Sequence, residues 1–412
     1  MKRPSTLLAT LLPLTLGTAF PRTELAPLFT HQDSDLAGFD KYIVKFKDGT
    51  ARGAVEETLE TLDQVAERIY LEGFKGFAGT LDAAALENWR AHPDVEYIEQ
   101  DSIVRATAYV EQPGSPWGLA RISSRLNGAG KYVYDESAGA GTCSYVVDTG
   151  IEATHPDFDG RAIQVVSFAG DNTDGNGHGT AVAGVIGGTT YGVAKKTTLL
   201  AIKVFDASGS GTTSQVLSGI SYVTQDAAAR SCPRGVFVNL SIGGSYSATL
   251  NAAVAALVTE GKFVAVAAGS SGTNAGNFSP GSEESACTAS ASTSLDARSS
   301  SANYGAVVDI FAPGQSILTT WLNGGTVSNS SSLRWLLLIG LLTHKTEKTT
   351  LSGSSFSSAH ICGLAAYLSA LEETPNPATL CTRIRELATS NILTGVPPGT
   401  DNLLAFNGNP QG

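Results

Sequence analysis

Residues 144–150 read Ser-Tyr-Val-Val-Asp-Thr-Gly, an apolar run that ends in an aspartate and a glycine turn. More apolar runs with Gly-rich ends follow at 199–204, 236–242 and 263–267, and helical patterns lie between them at 179–187, 214–229 and 250–260. Continuous apolar strands that alternate with helices indicate an α/β fold with a mainly parallel sheet, covered by helices on both faces. Ligands bind such sheets beyond the carboxyl ends of the strands, so Asp148 lies where chemistry is expected.

The composition excludes several classes of protein. The chain has 412 residues, of which 42% are hydrophobic and 16% charged, with 45 glycines. These values are typical of globular domains and exclude a disordered chain, a collagen and a coiled coil. The net charge of −11 argues against nucleic acid or an anionic membrane as a partner.

The first residues have the pattern of a secretory signal peptide. Lys2 and Arg3 are basic, residues 7–16 are apolar, and Gly17-Thr18-Ala19 offers small residues for cleavage. A membrane anchor, the alternative, needs a longer apolar span. We therefore predict a signal peptide at residues 1–19 and a secreted, extracellular protein, in which disulfides are permitted.

The segment after the signal peptide predicts a small α+β unit. Alternation predicts a strand at 41–47, and helical spacing predicts a helix at 55–70. A strand at 74–81, a helix at 83–91 and a strand at 95–99 complete a unit at about 40–105.

Three polar residues stand at the positions that nucleophilic catalysis requires. Asp148 ends an apolar strand, His178 opens a helix within Gly-Asn-Gly-His-Gly-Thr, and Ser355 lies just ahead of a predicted helix at 361–371. A serine needs a neighbouring imidazole to take its proton, and a buried carboxylate holds that imidazole in the right tautomer. Each motif alone also fits a turn, a solvated loop or low-complexity sequence. Together, their order of Asp, His and Ser matches a known triad arrangement.

The sequence resembles a subtilisin-like serine protease (subtilase) of the proteinase K group of fungal secreted proteases. The resemblance covers nearly all of residues 110–408, and its motifs lie at 117–123, 134–139, 146–152, 174–180, 191–196, 264–269 and 363–368. Residues 40–105 resemble the inhibitory propeptide of that family. The resemblance implies a subtilisin-like three-layer catalytic domain at 107–412, preceded by a propeptide at 20–106.

The resemblance also implies how substrate binds. Two backbone strips would pair with an extended protein or peptide substrate, which is a β-addition mode of recognition. They comprise Gly209, Ser210 and Gly211 on one side and Ser241, Ile242 and Gly243 on the other. Ala267, Ala268 and Gly269 would line the pocket for the side chain before the cut bond.

Disulfides and a metal site are implied in the same way. Five cysteines allow at most two bridges. The resemblance pairs Cys143 with Cys232 and Cys287 with Cys381, and leaves Cys362 as a buried free thiol. It implies no cofactor for catalysis but a structural calcium ion on Asp309 and the carbonyl groups of Glu284 and Ala286; the alternative is a loop carboxylate without an ion.

The sequence departs from the family at the oxyanion position. An asparagine usually follows Val-Ala-Ala-Gly and donates to the developing oxyanion, but here the residue is Ser270. Removing such a donor from a subtilisin costs roughly 10²–10³ in rate. The serine hydroxyl is shorter and has to rotate to donate. We therefore expect a slow protease.

A second departure is an insertion of 22 residues at 327–348. Removing it joins Thr326 to Thr349 and restores the family pattern. One hypothesis is an unspliced intron, since a GTAAGT donor encodes Val327-Ser328 and a CTAAC branch point fits Leu342-Thr343. The alternative is a lid or membrane-touching loop, although its apolar core at 333–342 is too short to span a bilayer.

The sequence therefore predicts a secreted serine endopeptidase, made as a zymogen and self-cleaved between about Arg105 and Val110. Its partners would be protein substrates and its own propeptide, without nucleic acid or membrane, and we expect a monomer. The competing hypothesis is a pseudoprotease that acts as a binding protein, because of Ser270 and the insertion.

Overall fold

The structure is a computed structural model in which the chain forms two compact units, Met1–Arg105 and Ala106–Gly412. It describes residues 24–30, 40–53, 66–101, 109–327, 351–373 and 376–412. The predicted signal peptide at 1–19 lies outside the described residues, and so does the insertion beyond Val327.

The N-terminal unit is a five-stranded sheet with one helix. Its strands are β1 (Leu28–Phe29), β2 (Lys41–Phe46), β3 (Ala66–Tyr70), β4 (Gly76–Thr80) and β5 (Val95–Gln100). Helix α1 (Ala83–Ala91) lies between β4 and β5 in the chain. The strand order is β1-β5-β2-β4-β3, with β1 parallel to β5 and the other pairs antiparallel. Phe46, Phe77 and Trp89 fill the core between the sheet and α1. The sheet and helix together form the α+β unit that the sequence predicts.

One predicted element of this unit is wrong at its end, while its part at 55–65 lies outside the described residues. The sequence predicts a helix over 55–70, but its last five residues form strand β3, which pairs with β4. Helical spacing of apolar residues is a local signal, whereas β4 offers a row of backbone groups that β3 satisfies across the sheet. Tertiary pairing of this kind overrides local propensity.

The C-terminal unit contains the remaining elements. Its strands are β6 (Tyr109–Pro113), β7 (Lys131–Asp135), β8 (Cys143–Asp148), β9 (Ala162–Ser167), β10 (Thr198–Lys203), β11 (Val236–Leu240), β12 (Gly244–Ser245), β13 (Phe263–Ala267), β14 (Phe278–Ser279), β15 (Cys287–Ser292), β16 (Ile310–Pro313), β17 (Thr319–Trp321), β18 (Gly325–Val327), β19 (Thr389–Ser390) and β20 (Leu403–Leu404). Its helices are α2 (Trp117–Ile122), α3 (His178–Gly187), α4 (Thr213–Ala228), α5 (Ala248–Thr259), α6 (Ser354–Glu372) and α7 (Leu380–Leu387).

A nine-stranded sheet forms the centre of this unit, in the order β19-β20-β16-β15-β13-β11-β8-β10-β9. Every neighbouring pair is parallel except β19 and β20. Successive side chains of β8 enter different cores: Val146 joins the cluster with α3 and α6, whereas Tyr145 and Val147 join the cluster with α4 and α5. The predicted three-layer α/β fold is confirmed.

Helix α6 begins earlier than the sequence predicts. The apolar pattern predicts a helix over 361–371, but α6 starts at Ser354, so Ser355 lies in its first turn. The early residues are small and polar, and their hydroxyls bond inward; Ser357 Oγ donates to the carbonyl oxygen of Ala312 at 2.9 Å. A helix buried on all sides shows no amphipathic period, so its first turns gave no sequence signal.

The two predicted disulfides are confirmed. Cys143 is bonded to Cys232 and Cys287 to Cys381, while Cys362 is a buried free thiol within α6. Among the helices that the structure describes, none is long and apolar enough to cross a bilayer.

Candidate active site

Asp148 and His178 meet at the carboxyl end of β8, an interior strand of the nine-stranded sheet. β8 ends at the fully buried Asp148, and α3 begins at His178. His178 Nδ1 lies 2.8 Å from Asp148 Oδ1 and 3.0 Å from Oδ2. A carboxylate in this place accepts a hydrogen bond from Nδ1–H, which keeps the proton on Nδ1 and leaves Nε2 unprotonated and able to accept a proton from another group.

The charges around His178 favour its protonated form. Burial of the ring lowers the pKa of His178, but the charge and hydrogen bond of Asp148 and the charge of Asp174 outweigh it, so that the pKa lies above its usual value. A base with a raised pKa stays protonated to a higher pH. Proton abstraction by His178 is therefore lost as the pH falls through this raised pKa.

Ser355 is brought to the same place by α6. Its hydroxyl donates to the carbonyl oxygen of Ser241 at 3.3 Å. Ser241 Oγ in turn donates to the carbonyl oxygen of Ser355 at 2.7 Å and accepts from Asn239 Nδ2 at 2.8 Å. The end of β11 thus fixes the backbone at the start of α6, where the ring of the next residue, Phe356, has its centre 6.0 Å from that of His178.

Ser270 lies beside the start of α6. The N–H of Ser354 donates to Ser270 Oγ at 3.2 Å, and the two Oγ atoms are 3.4 Å apart. The N–H of Gly269 donates to Ser354 Oγ at 3.0 Å. Because Ser270 Oγ accepts a hydrogen bond from the N–H of Ser354, its own hydroxyl hydrogen is available to donate to another acceptor.

Two adjoining pockets form a cleft around these residues. One, of about 500 Å³, is lined by Thr149, Asn176, His178, Phe205, Ser208, Gly209, Ser210, Gly211, Ser241, Ile242 and Gly243. The other, of about 310 Å³, is lined by Ser241, Ile242, Gly243, Gly244, Ser245, Ala267, Gly269, Ser270, Ser271, Phe278, Ser354 and Ser355. The structure thus brings both predicted backbone strips and two of the three predicted pocket residues to one cleft.

Ala268 is not among the residues that line this cleft. Its side chain is fully buried and packs in a cluster with Ala275, Val308 and Phe311. Successive side chains of extended backbone point in opposite directions, so Ala267 faces the cleft and Ala268 faces the interior. The expectation that Ala268 lines the pocket is corrected accordingly.

The residues expected to bind calcium do not fit the ion as they stand. Asp309 Oδ1 accepts from Arg385 Nη1 at 2.9 Å, and Oδ2 accepts from the N–H of Thr288 at 2.8 Å. Burial raises the pKa of Asp309 above its usual value, although these partners oppose the rise. The neighbouring sulfur atoms of Cys287 and Cys381 are in a disulfide and cannot serve as thiolates. The Arg385 guanidinium already neutralises Asp309 and would repel a second cation there, so we assign no calcium ion to Asp309, Glu284 and Ala286.

Two residues next to the Asp148–His178 pair were missed by sequence reasoning. The buried side chains of Thr149 and Asp174 are hydrogen-bonded to each other and to the backbone of the His178 segment. The only available signal was that both lie within short polar motifs beside a candidate residue.

Comparison with known proteins agrees with this geometry. Residues 139–406 match the Subtilase family, and residues 41–107 match the family described as Peptidase inhibitor I9. The subtilase match covers more than half of the chain. The protein therefore belongs to the subtilase family of serine proteases, whose reaction needs no catalytic cofactor.

Several curated relatives are similar over nearly the whole chain. The subtilisin-like serine protease AsES of Sarocladium strictum is 53% identical over 98% of this chain and 99% of its own. The cuticle-degrading protease of Metarhizium anisopliae is 51% identical over 97% and 98%, respectively. A cold adapted subtilisin-like serine proteinase of known crystal structure aligns with a TM-score of 0.63 at 34% identity, over 71% of this chain and 98% of its own.

The position of Ser270 gives a testable prediction about rate. We expect Ser270→Asn to raise kcat with little change in KM. The asparagine side chain is longer than that of serine, and its NH₂ group can donate a hydrogen bond to the oxyanion that develops in the transition state. We expect Ser270→Ala to lower kcat, because it removes the side-chain donor altogether. Steady-state kinetics on a peptide p-nitroanilide would check both. A Ser270→Asn variant no faster than wild type would contradict the prediction.

Proposed function

We propose that this protein is a secreted serine endopeptidase that uses Asp148, His178 and Ser355 as its catalytic triad. The observation that carries the proposal is the bond from His178 Nδ1 to the buried Asp148 carboxylate, 2.8 Å long, in the cleft that also contains Ser355. A buried carboxylate, an imidazole and a serine at one cleft can perform acyl transfer without a metal or cofactor.

The proposed reaction has two halves. Ser355 Oγ attacks the substrate carbonyl carbon while His178 Nε2 takes the hydroxyl proton, and Asp148 stabilises the imidazolium that forms. His178 then gives this proton to the leaving amine, the peptide C–N bond breaks, and an acyl-enzyme remains. Water attacks the ester in the same way and returns Ser355. The Ser355 N–H and the Ser270 hydroxyl would donate to the oxyanion of each tetrahedral intermediate.

Substrate would bind as an extended strand between the two backbone strips. The strip at Gly209–Gly211 is held by Asp206, whose Oδ1 accepts from the N–H of Ser208 at 2.8 Å and of Ser210 at 3.1 Å. A rigid strip can pair with main chain of any sequence, which gives broad recognition. The 310 Å³ pocket has no charged residue in its lining and would accept an uncharged side chain.

The N-terminal unit would act as an inhibitory propeptide. The match of residues 41–107 to a peptidase inhibitor family supports this role. We propose that the signal peptide at 1–19 directs secretion and that the protease cuts itself between about Arg105 and Val110. The cleavage region overlaps residues 102–108, which lie outside the described part of the chain.

The competing hypothesis of a pseudoprotease has no specific observation in its favour. The relatives reported above are named as proteases or a proteinase, and the Asp148–His178 pair has the geometry that the reaction requires. Ser270 remains a departure, but its hydroxyl lies beside the backbone of Ser354, the residue before the proposed nucleophile, and can donate.

Self-cleavage can be tested with a nucleophile variant. We expect Ser355→Ala to accumulate as the full proprotein, because no acyl-enzyme can form, and the mass of the secreted chain would show this. Ser357→Ala is the matched control: it lies on the same helix, but its hydroxyl donates to Ala312 and faces away from the cleft. We expect that control to mature. Normal maturation of Ser355→Ala in a protease-deficient host would contradict self-cleavage.

The strand register on either side of the insertion supports our proposal that residues 327–348 are not native. β17 pairs with β18 so that Thr319 lies opposite Val327. Continued by two residues, this antiparallel ladder would put residue 329 opposite Ile317. Leu351 is opposite Ile317 instead, a difference of 22 positions (351 − 329). Removal of the 22-residue segment would therefore leave one strand in unbroken register up to Leu351, four residues before the nucleophile.

A deletion series tests this proposal. We expect the variant lacking residues 327–348 to mature, with a higher Tm and a higher specific activity than the full chain. The matched control lacks residues 327–347, one residue fewer, which shifts Leu351 by one place and turns its side chain to the other face. We expect that control to be less stable and less active. Equal behaviour of the two deletions, or loss of activity in the first, would contradict the proposal. A mature transcript that retains the Val327-Ser328 codons would contradict the intron origin.

A further inference from the structure

Asp174 is a buried carboxylate with an unusually complete set of donors, and it lies four residues before His178. Its Oδ1 accepts from Thr149 Oγ1 at 2.9 Å, from the N–H of Asn176 at 3.1 Å and from the N–H of Gly177 at 2.8 Å. Its Oδ2 accepts from the N–H of Thr180 at 3.0 Å and from Thr180 Oγ1 at 2.6 Å. These hydrogen bonds offset the cost of removing the carboxylate from water.

These bonds join the two segments that carry the Asp148–His178 pair. The N–H of Thr149 donates to Asp148 Oδ1 at 2.7 Å, and Thr149 Oγ1 accepts from the N–H of Gly179 at 2.9 Å while it donates to Asp174. A chain of hydrogen bonds therefore runs from Asp148 through Thr149 and Asp174 to the backbone on both sides of His178. It fixes the distance between the end of β8 and the start of α3.

The packing at this junction leaves no room for adjustment. A Cβ atom at Gly179 would lie 2.1 Å from the carbonyl oxygen of Gly150, so the turn after β8 and the first turn of α3 are in direct backbone contact. Gly177, the residue before His178, has a φ of +98°, which other residues rarely adopt. The backbone bonds of Asp174 hold this conformation.

Asp174 also contributes charge to the site. The charges that act on His178 are Asp148, on β8, and Asp174, and both favour the imidazolium. Of the other charged groups near this junction, Lys203 of β10 donates to the carbonyl oxygens of Thr149 and Phe205, and the Glu152 carboxylate accepts from the N–H groups of Asn323 and Gly324. From α6 and β17 the neighbours are uncharged: the Phe356 ring lies near His178, and Thr319 and Thr320 donate to carbonyl oxygens of α3.

We propose that Asp174 is a positioning residue for the reaction, which holds the His178 segment against Asp148 and stabilises the imidazolium formed in the transition state. This inference rests on the proposed triad. Asp174 does not touch substrate or the reacting atoms; it acts through His178 and Thr149.

The test is a pH profile of kcat/KM for Asp174→Asn, with each variant matured in trans by the wild-type enzyme. The asparagine has the same size, but it removes the charge and points an NH₂ group at backbone N–H donors. We expect kcat to fall on the order of 10²-fold with little change in KM, because a small misplacement of the base costs that much. We also expect the acidic limb of the profile to move to lower pH, because one charge that raises the pKa of His178 is gone.

Two further variants separate positioning from general stability. Asp296→Asn is the matched control, since Asp296 is a buried carboxylate paired with Arg121 at 2.8 Å in another part of the unit. We expect it to lower Tm without moving the acidic limb. Thr149→Val breaks the hydrogen-bond chain but keeps the Asp174 charge, so we expect a lower kcat with an unmoved limb. This variant keeps the inference testable if Asp174→Asn does not fold.

The outcomes are distinct. If Asp174→Asn lowers only Tm, as Asp296→Asn does, or if its kcat and acidic limb equal those of the wild type, the positioning role is wrong. If Thr149→Val keeps full kcat, the hydrogen-bond chain has no role in positioning. If the wild-type protein neither cleaves peptides nor reacts with a fluorophosphonate, the proposed triad itself fails, and the Asp174 inference falls with it.

Discussion

The structure depends on a carboxylate that is buried at the carboxyl end of β8, an interior strand of the large sheet. Asp148 is fully buried, and a charge in that place is stable only if polar groups surround it. His178 Nδ1 and the N–H of Thr149 supply those groups. The hydrogen bonds that stabilise the buried charge of Asp148 also orient the imidazole of His178. The stability of the carboxyl end of β8 and the alignment of the proposed base therefore depend on the same contacts.

The second requirement is a helix that can approach this edge closely. A Cβ atom at Gly363 of α6 would lie 2.8 Å from the carbonyl oxygen of Ile186 in α3, so glycine is needed where the two helices cross. α6 is buried over nearly its whole length, and its first turns contain small residues whose hydroxyl groups face the protein interior. Close packing of α3 and α6 places His178 and Ser355, each in the first turn of its helix, at one cleft.

The sequence predicts most of this arrangement, and its failures have a common cause. The central strands and α3, α4 and α5 appear in the chain as continuous apolar runs and helical periods, and the three proposed catalytic residues stand at their ends. Strand β3, the first turns of α6 and the inward orientation of Ala268 depend on contacts with distant parts of the chain. The contacts of Asp174 and Arg385 could not be predicted from the sequence either. A buried carboxylate with several hydrogen-bond donors and an ion pair between distant residues leave no periodic pattern in the chain.

The most direct test of the proposed function is labelling of the matured protein by a fluorophosphonate at a series of pH values. This reagent needs a serine that is activated by a base and does not report a mere cleft. We predict that Ser355 alone is labelled and that the rate rises with pH through a His178 pKa above the usual value for histidine. Absence of labelling, or labelling at a rate independent of pH, would contradict the proposed triad.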